Sequence, residues 1–169
     1  LTLLTSVFPY RVTIHESLEV LGTVELRGGH ILIKREQTLS ILGDLVFGGK
    51  SSTAALTLIG DIQLHGTIRS DGSYRQLQAS TGWIRMVGQR DQLIEAEGIL
   101  PPLLLDKAGG RVKVKGDLHC TGLKVEAGNV LDFSHGQKLI FGLRTPEWRF
   151  DPKDKLIVKT YQPSRSCRD

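Results

Sequence analysis

The sequence predicts an all-β fold, a right-handed parallel β-helix of five to six coils. Three observations predict it. A phrase of two short alternating strands, broken at a glycine, recurs down the chain. Val, Ile and Thr, which favour strands, carry that phrase together with Leu. The phrase returns on average every 23.5 residues, the size of a solenoid unit that buries its core only by stacking on its neighbours.

In chain order the phrase reads LEVLGTVELRG from Leu18, LSILGDLVFGG from Leu39 and LTLIGDIQLHG from Leu56. A short copy, IRMVG, starts at Ile84, and VKVKGDLHCTG starts at Val112. The starts lie 21, 17, 28 and 28 residues apart. Uneven spacing favours a β-helix, whose corners accept loops, over a leucine-rich repeat, whose Leu/Asn ladder is missing. The long intervals contain Arg69–Tyr74 and Gly98–Pro102, both with turn chemistry.

Within the phrase the period is two. Leu18, Val20, Val24 and Leu26 point one way, and so do Leu56, Leu58, Ile62 and Leu64. Glu19, Thr23, Glu25 and Arg27 point the other way. The glycines Gly22, Gly43, Gly60, Gly88 and Gly116 are in phase with the inward set and mark corners. Asp or Thr follows and starts the next strand. The residues just before these glycines are Leu21, Leu42, Ile59, Val87 and Lys115. Four apolar side chains there form an outward packing stripe, either a contact with another chain or a surface covered by the tail with Trp148, Phe150 and Tyr161. The best helical candidate is Gln89–Glu97, one or two turns at most.

Residues 1–142 are assigned to the coils, and 143–169 to a C-terminal cap or strap with a polar tail. Leu156–Val158 is a candidate last strand. The opening LTLLTSVF lacks the polar outer face of a cap, which points to a first coil that meets another domain or subunit. A first residue other than Met fits a processed chain or a piece of a longer one.

The chain has 169 residues, enough for one domain, with 40% hydrophobic residues and 19 glycines that bring the apolar share to about half. No apolar run approaches the ~18 residues of a membrane span. The net charge is +4, but the cations are scattered. That argues against nucleic acid and suits anionic polysaccharide or cell envelope as well. Of the two cysteines, Cys120 occupies an apolar position and reads as a small buried hydrophobe, and Cys167 lies in the polar tail. They form no disulfide framework or metal spacing, and the redox compartment stays open.

Asp44, Asp61 and Asp117 each follow a corner glycine. Stacked coils would set them in a column suited to acid–base cleavage of a polysaccharide. Alternatively, each accepts a backbone N–H at its own turn. Like charges at a strand spacing of ~4.8 Å repel, which favours the second role. Asp106 and Lys107, ahead of Gly109-Gly110, read as a turn. His15, His30, His65, His119 and His135 have no metal spacing. No nucleophile elbow and no phosphate loop is present, so no catalytic residue, metal or cofactor is expected. Arg111, Lys113 and Lys115 alternate with Val112 and Val114 and share an outward face, with Lys124 on the next strand. They are candidates to grip an anionic glycan, or else solvated charges that keep other strands from adding.

The stretch GILPPLLLDKAGGRVKVKGDLHCTGLKVEAGNVLDF, Gly98 to Phe133, resembles the degenerate repeats of secreted bacterial surface β-solenoid proteins of adhesin type. The resemblance covers about residues 18–142 and encodes a coil rather than an activity. It implies an extracellular or cell-surface location and a structural or adhesive role, with other chains, neighbouring domains or further copies as partners. A weaker resemblance is to the bactofilins, filament-forming cytoskeletal β-helices of the cytoplasm, whose repeats are shorter and more regular. The reading is a non-enzymatic module that presents a rigid surface or assembles. A polysaccharide-binding or polysaccharide-cleaving β-helix and a bactofilin-like filament former are the alternatives.

Overall fold

A computed structural model describes residues 2–3, 11–48, 54–73, 76–79, 81–133, 138–141 and 147–149. The strands are β1 (Thr2–Leu3), β2 (Arg11–Ile14), β3 (Leu18–Val20), β4 (Val24–Leu26), β5 (His30–Ile33), β6 (Thr38–Ile41) and β7 (Leu45–Phe47). They continue as β8 (Ala55–Leu58), β9 (Asp61–Leu64), β10 (Ile68–Asp71), β11 (Gln76–Ala79), β12 (Ile84–Met86), β13 (Gln92–Glu97) and β14 (Ile99–Leu100). The last are β15 (Leu103–Leu105), β16 (Val112–Lys115), β17 (Leu118–Cys120), β18 (Leu123–Val125), β19 (Leu131–Asp132), β20 (Lys138–Phe141) and β21 (Glu147–Arg149).

Apart from β14 and β21, each strand from β4 onward pairs in parallel with the one three before it, so the chain winds as a parallel β-solenoid of about five turns with three strands per turn. One face carries seven strands, β1-β4-β7-β10-β13-β16-β19, and is called the long face. A second face has six, from β3 to β18. The third is split into two sheets, β2-β5-β8-β11 and β14-β17-β20-β21. The break falls where Pro101 and Pro102 cut β14 to two residues. Proline has no N–H to give to a ladder. At the far end β21 pairs antiparallel with β20; the rest of the expected cap, and Leu156–Val158, lie outside the described residues.

Three strands per turn explain the uneven spacing of the phrase. On the six-stranded face Leu18, Leu39, Ile62, Ile84, Leu103 and Leu123 are in register, at offsets of 21, 23, 22, 19 and 20 residues. The phrases at Leu18 and Leu39 fill this face and the long face, but the one at Leu56 starts on the split face and the one at Val112 on the long face. A two-strand phrase looks the same at any corner, so the corner glycines do not form one column. Gly22 and Gly43 stack at the corner between the six-stranded and long faces, together with Gly66, the last glycine of its phrase. An added Cβ on Gly43 would lie 2.5 Å from the Gly22 carbonyl carbon, and one on Gly66 2.2 Å from the Gly43 oxygen. Gly60 occupies the corner between the split and six-stranded faces, beneath Gly82, and Gly116 the corner that leaves the long face.

The interior is built from aligned inward side chains. Val24, Leu45, Ile68, Ile94 and Val114 run along the long face, each at most 3% exposed. Burying one such side chain contributes about 1.5–3 kcal/mol. Leu18, expected inward, is 44% exposed because β3 is the edge strand of its sheet. The helical expectation over Gln89–Glu97 fails: Gln92–Glu97 is strand β13. Its alternating burial, with Gln92 and Ile94 buried, continues the long-face rows, and pairing with β10 and β16 on both sides overrides the local helical preference.

Candidate functional site

The three Asp residues after corner glycines sit at three different corners and do not converge. Each joins its own coil to the next. Asp44 Oδ1 accepts the N–H of Thr67 at 2.8 Å, while Thr67 C=O accepts the N–H of Leu45 at 2.9 Å. Asp61 Oδ1 likewise takes the N–H of Trp83 at 2.8 Å, and Asp117 Oδ1 that of Lys138 at 2.8 Å. Asp91, Ser17 and Thr23 repeat the device on Arg111, Thr38 and Asp44. In a parallel ladder that N–H would go to the carbonyl of the preceding residue. At a corner the chain has turned away, and the side chain takes the carbonyl's place. Asp61 also holds the Arg85 guanidinium at 2.8 Å.

The candidate cations are engaged with acids. Arg111 faces Asp132 at 3.3 Å and Asp91 at 3.9 Å, Lys113 meets Asp91 at 3.0 Å, and Lys124 meets Glu126 at 2.6 Å. Lys115 pairs with Glu95. The hydrogen bond from Lys113, helped by the Arg111 N–H, holds the Asp91 carboxyl below its ordinary range, and the Lys115 bond does the same for Glu95. Lys124 lies on the six-stranded face, apart from the other three on the long face.

Of the packing stripe, Leu21, Leu42 and Val87 share one corner. His65 stands between Leu42 and Val87, and Asp106 and Glu126 continue the column, as the stacked backbone bonds from Leu42 to Glu126 show. Ile59 belongs to a different corner, above Lys34. Leu21 is 76% exposed and Leu42 41% exposed. Phe150 and Tyr161, expected to cover the stripe, lie outside the described residues.

Two polar clusters escaped the sequence reading. Gln92 is buried and donates to the carbonyls of Leu64 and Gly66, both at 2.9 Å. It accepts from Lys107 Nζ, which also donates to Arg90 C=O, and burial lowers the Lys107 pKa. Buried Asn129 accepts the Lys107 backbone N–H at 2.7 Å. Asp106 and Lys107 therefore do form a corner, tied to two other coils. Cys120 is fully buried, and burial pushes its thiol up to about 12.

The second cluster is a groove of about 1020 Å³ along the corner where the long face meets the split face. Its walls carry Arg69, Glu95 and Lys115 on one side and Asp71, Glu97 and Asp117 along the corner. It spans several coils because the long-face row Glu25, Val46, Arg69, Glu95 and Lys115 is in register. The sequence signal was an acid directly before a glycine, Asp71-Gly72 and Glu97-Gly98, at strand ends. Among the described residues no group of three or more His, Cys, Asp or Glu is placed to hold a metal ion, and no helix is long and apolar enough to cross a membrane.

No family model, curated protein or solved structure matches the chain.

Proposed function

We propose that this β-solenoid is a non-enzymatic module, structural or adhesive, that presents a rigid surface or assembles with other chains at a cell or particle surface. The observation that carries the reading is where its acids are spent. Asp44, Asp61, Asp91 and Asp117 bind backbone N–H groups of the next coil, an arrangement that stiffens a column and gathers no acid–base pair. Exposed Leu21 and Leu42 at one corner, with Leu18 at the nearby sheet edge, supply an apolar surface suited to a neighbouring chain or domain. An exported location follows from this reading as its natural setting.

Sedimentation at micromolar concentration and negative-stain microscopy test the assembly, and incubation with uronate polymers tests for unsaturated products. Self-association that Leu21→Ser and Leu42→Ser weaken, with no turnover, is the expected result. A clean monomer that releases unsaturated sugars would overturn the reading in favour of a polysaccharide-cleaving β-helix. Unbranched filaments without nucleotide would favour the bactofilin-like alternative.

A further inference from the structure

We infer that the groove between the long and split faces is a binding site for a neutral, hydroxyl-rich polysaccharide chain. Among the described residues the groove is open, runs across successive coils, and is lined by strands and their corners. At about 1020 Å³ it reaches the upper end of the volumes typical of ligand sites.

Its lining alternates in sign. Arg69, Glu95 and Lys115 follow one another in register along the wall, while Asp71 and Glu97 are register partners at the corner. Arg69 meets Asp44 at 3.5 Å and Lys115 meets Glu95, so the cations lie beside acids. Such a surface repels a polyanion at its carboxylates and a polycation at its bases. A hydroxyl both donates and accepts, so each kind of wall residue can bond it. Asp71 bonds Ser73, and Asp117 bonds the Lys138 N–H. A carboxylate has about four lone-pair sites, so the Lys138 bond leaves Asp117 able to accept from a ligand.

The corners supply the second requirement, backbone without side chains. Gly48, Gly98 and Gly116 line the groove with φ of 111°, 79° and 84°, values that L side chains rarely adopt. The space a Cβ on Gly48 would take is filled by Asp71 Oδ1, 1.8 Å away, whereas a Cβ on Gly116 would meet nothing within 4 Å. At Gly116 the backbone is therefore open, and the apolar face of a sugar ring can lie against it while its equatorial hydroxyls reach the walls. Coils repeat at a strand spacing of ~4.8 Å, so equivalent groups recur at short, regular steps along the chain they would bind. The groove would hold such a chain whether or not the module assembles with others.

Affinity electrophoresis of the full chain tests the site, in native gels containing galactomannan, mixed-linkage β-glucan or polygalacturonate, with a polylysine competitor. The expected result is retardation by at least one neutral polymer, insensitive to polylysine. Glu97→Ala and Arg69→Ala should each weaken it about tenfold or more, as loss of a charged hydrogen-bonding group does, with circular dichroism unchanged. Gln63→Ala, on the six-stranded face, should leave it unaltered. If Arg69→Ala does not fold, Glu97→Ala decides alone. No retardation in either neutral gel, retardation by polygalacturonate alone, displacement by polylysine, or retardation that Glu97→Ala leaves intact would each overturn the site. A chain that assembles but binds neither neutral polymer loses the groove and keeps the scaffold.

Discussion

At the scale of single residues, the chain depends on close backbone approach and on borrowed acceptors. Gly43 and Gly22 make the contrast. A Cβ on Gly43 meets backbone atoms of Gly22 and Thr23 at 2.5–2.7 Å, whereas one on Gly22 meets nothing within 4 Å. Backbone atoms cannot swing aside as a side chain can. Gly43→Ala should therefore cost about 1–3 kcal/mol or more, as overpacking does, and Gly22→Ala should fall within ~0.5 kcal/mol of the parent; urea midpoints of the two variants check this. Asp61→Ala strands the Trp83 N–H and releases Arg85, with an expected loss of about 1–3 kcal/mol. Asp61→Asn keeps an acceptor oxygen and should lose clearly less. Equal losses in thermal unfolding would show that the acceptor is not what matters. The role of these acids was half legible: an Asp after a glycine reads as an N–H acceptor. Its donor was not legible, because that N–H lies a full coil further along, as in Asp44 to Thr67.

At the scale of elements, the long and six-stranded faces run unbroken while the third face is interrupted between β11 and β14. Among the described strands β14 pairs with β17, and Pro101 and Pro102 follow it directly. The amide of Leu100, in a strand of two residues that ends at prolines, should exchange with solvent faster than those of β12 and β13, which are paired on both sides. Exchange measured by mass spectrometry at peptide resolution checks this, and equal protection would mean that the seam is closed. The alternation that made strands legible is local, since burial on one face dictates every second residue. Val20, Leu56 and Ile62 fell inward as read. The face each strand belongs to was not legible, because LTLIG and LSILG are the same phrase at different corners. The groove was hidden for the same reason: Arg69, Glu97 and Lys115 meet only after successive coils are stacked.

At the scale of the whole molecule, stability should depend on acid through the surface ladder. Asp91 and Glu95 have pKa values lowered by their Lys113 and Lys115 bonds. A carboxyl lowered in the folded state binds protons more weakly there than in the unfolded chain. Its contribution is therefore present above the ordinary carboxyl range and is lost as pH falls through the lowered value. The urea midpoint should drop between pH 5 and pH 3, and less steeply in an Asp91→Asn, Glu95→Gln double variant. Both groups are exposed, so added salt at pH 7 should shrink the difference between variant and parent. Register offsets between neighbouring turns on the six-stranded face vary from 19 to 23 residues, while each strand there keeps three or four. Insertions and deletions are therefore absorbed at the bends. One residue added inside β9 would swap its dry and wet sides, whereas a whole extra lap of chain could be spliced between two existing laps and still find both neighbours.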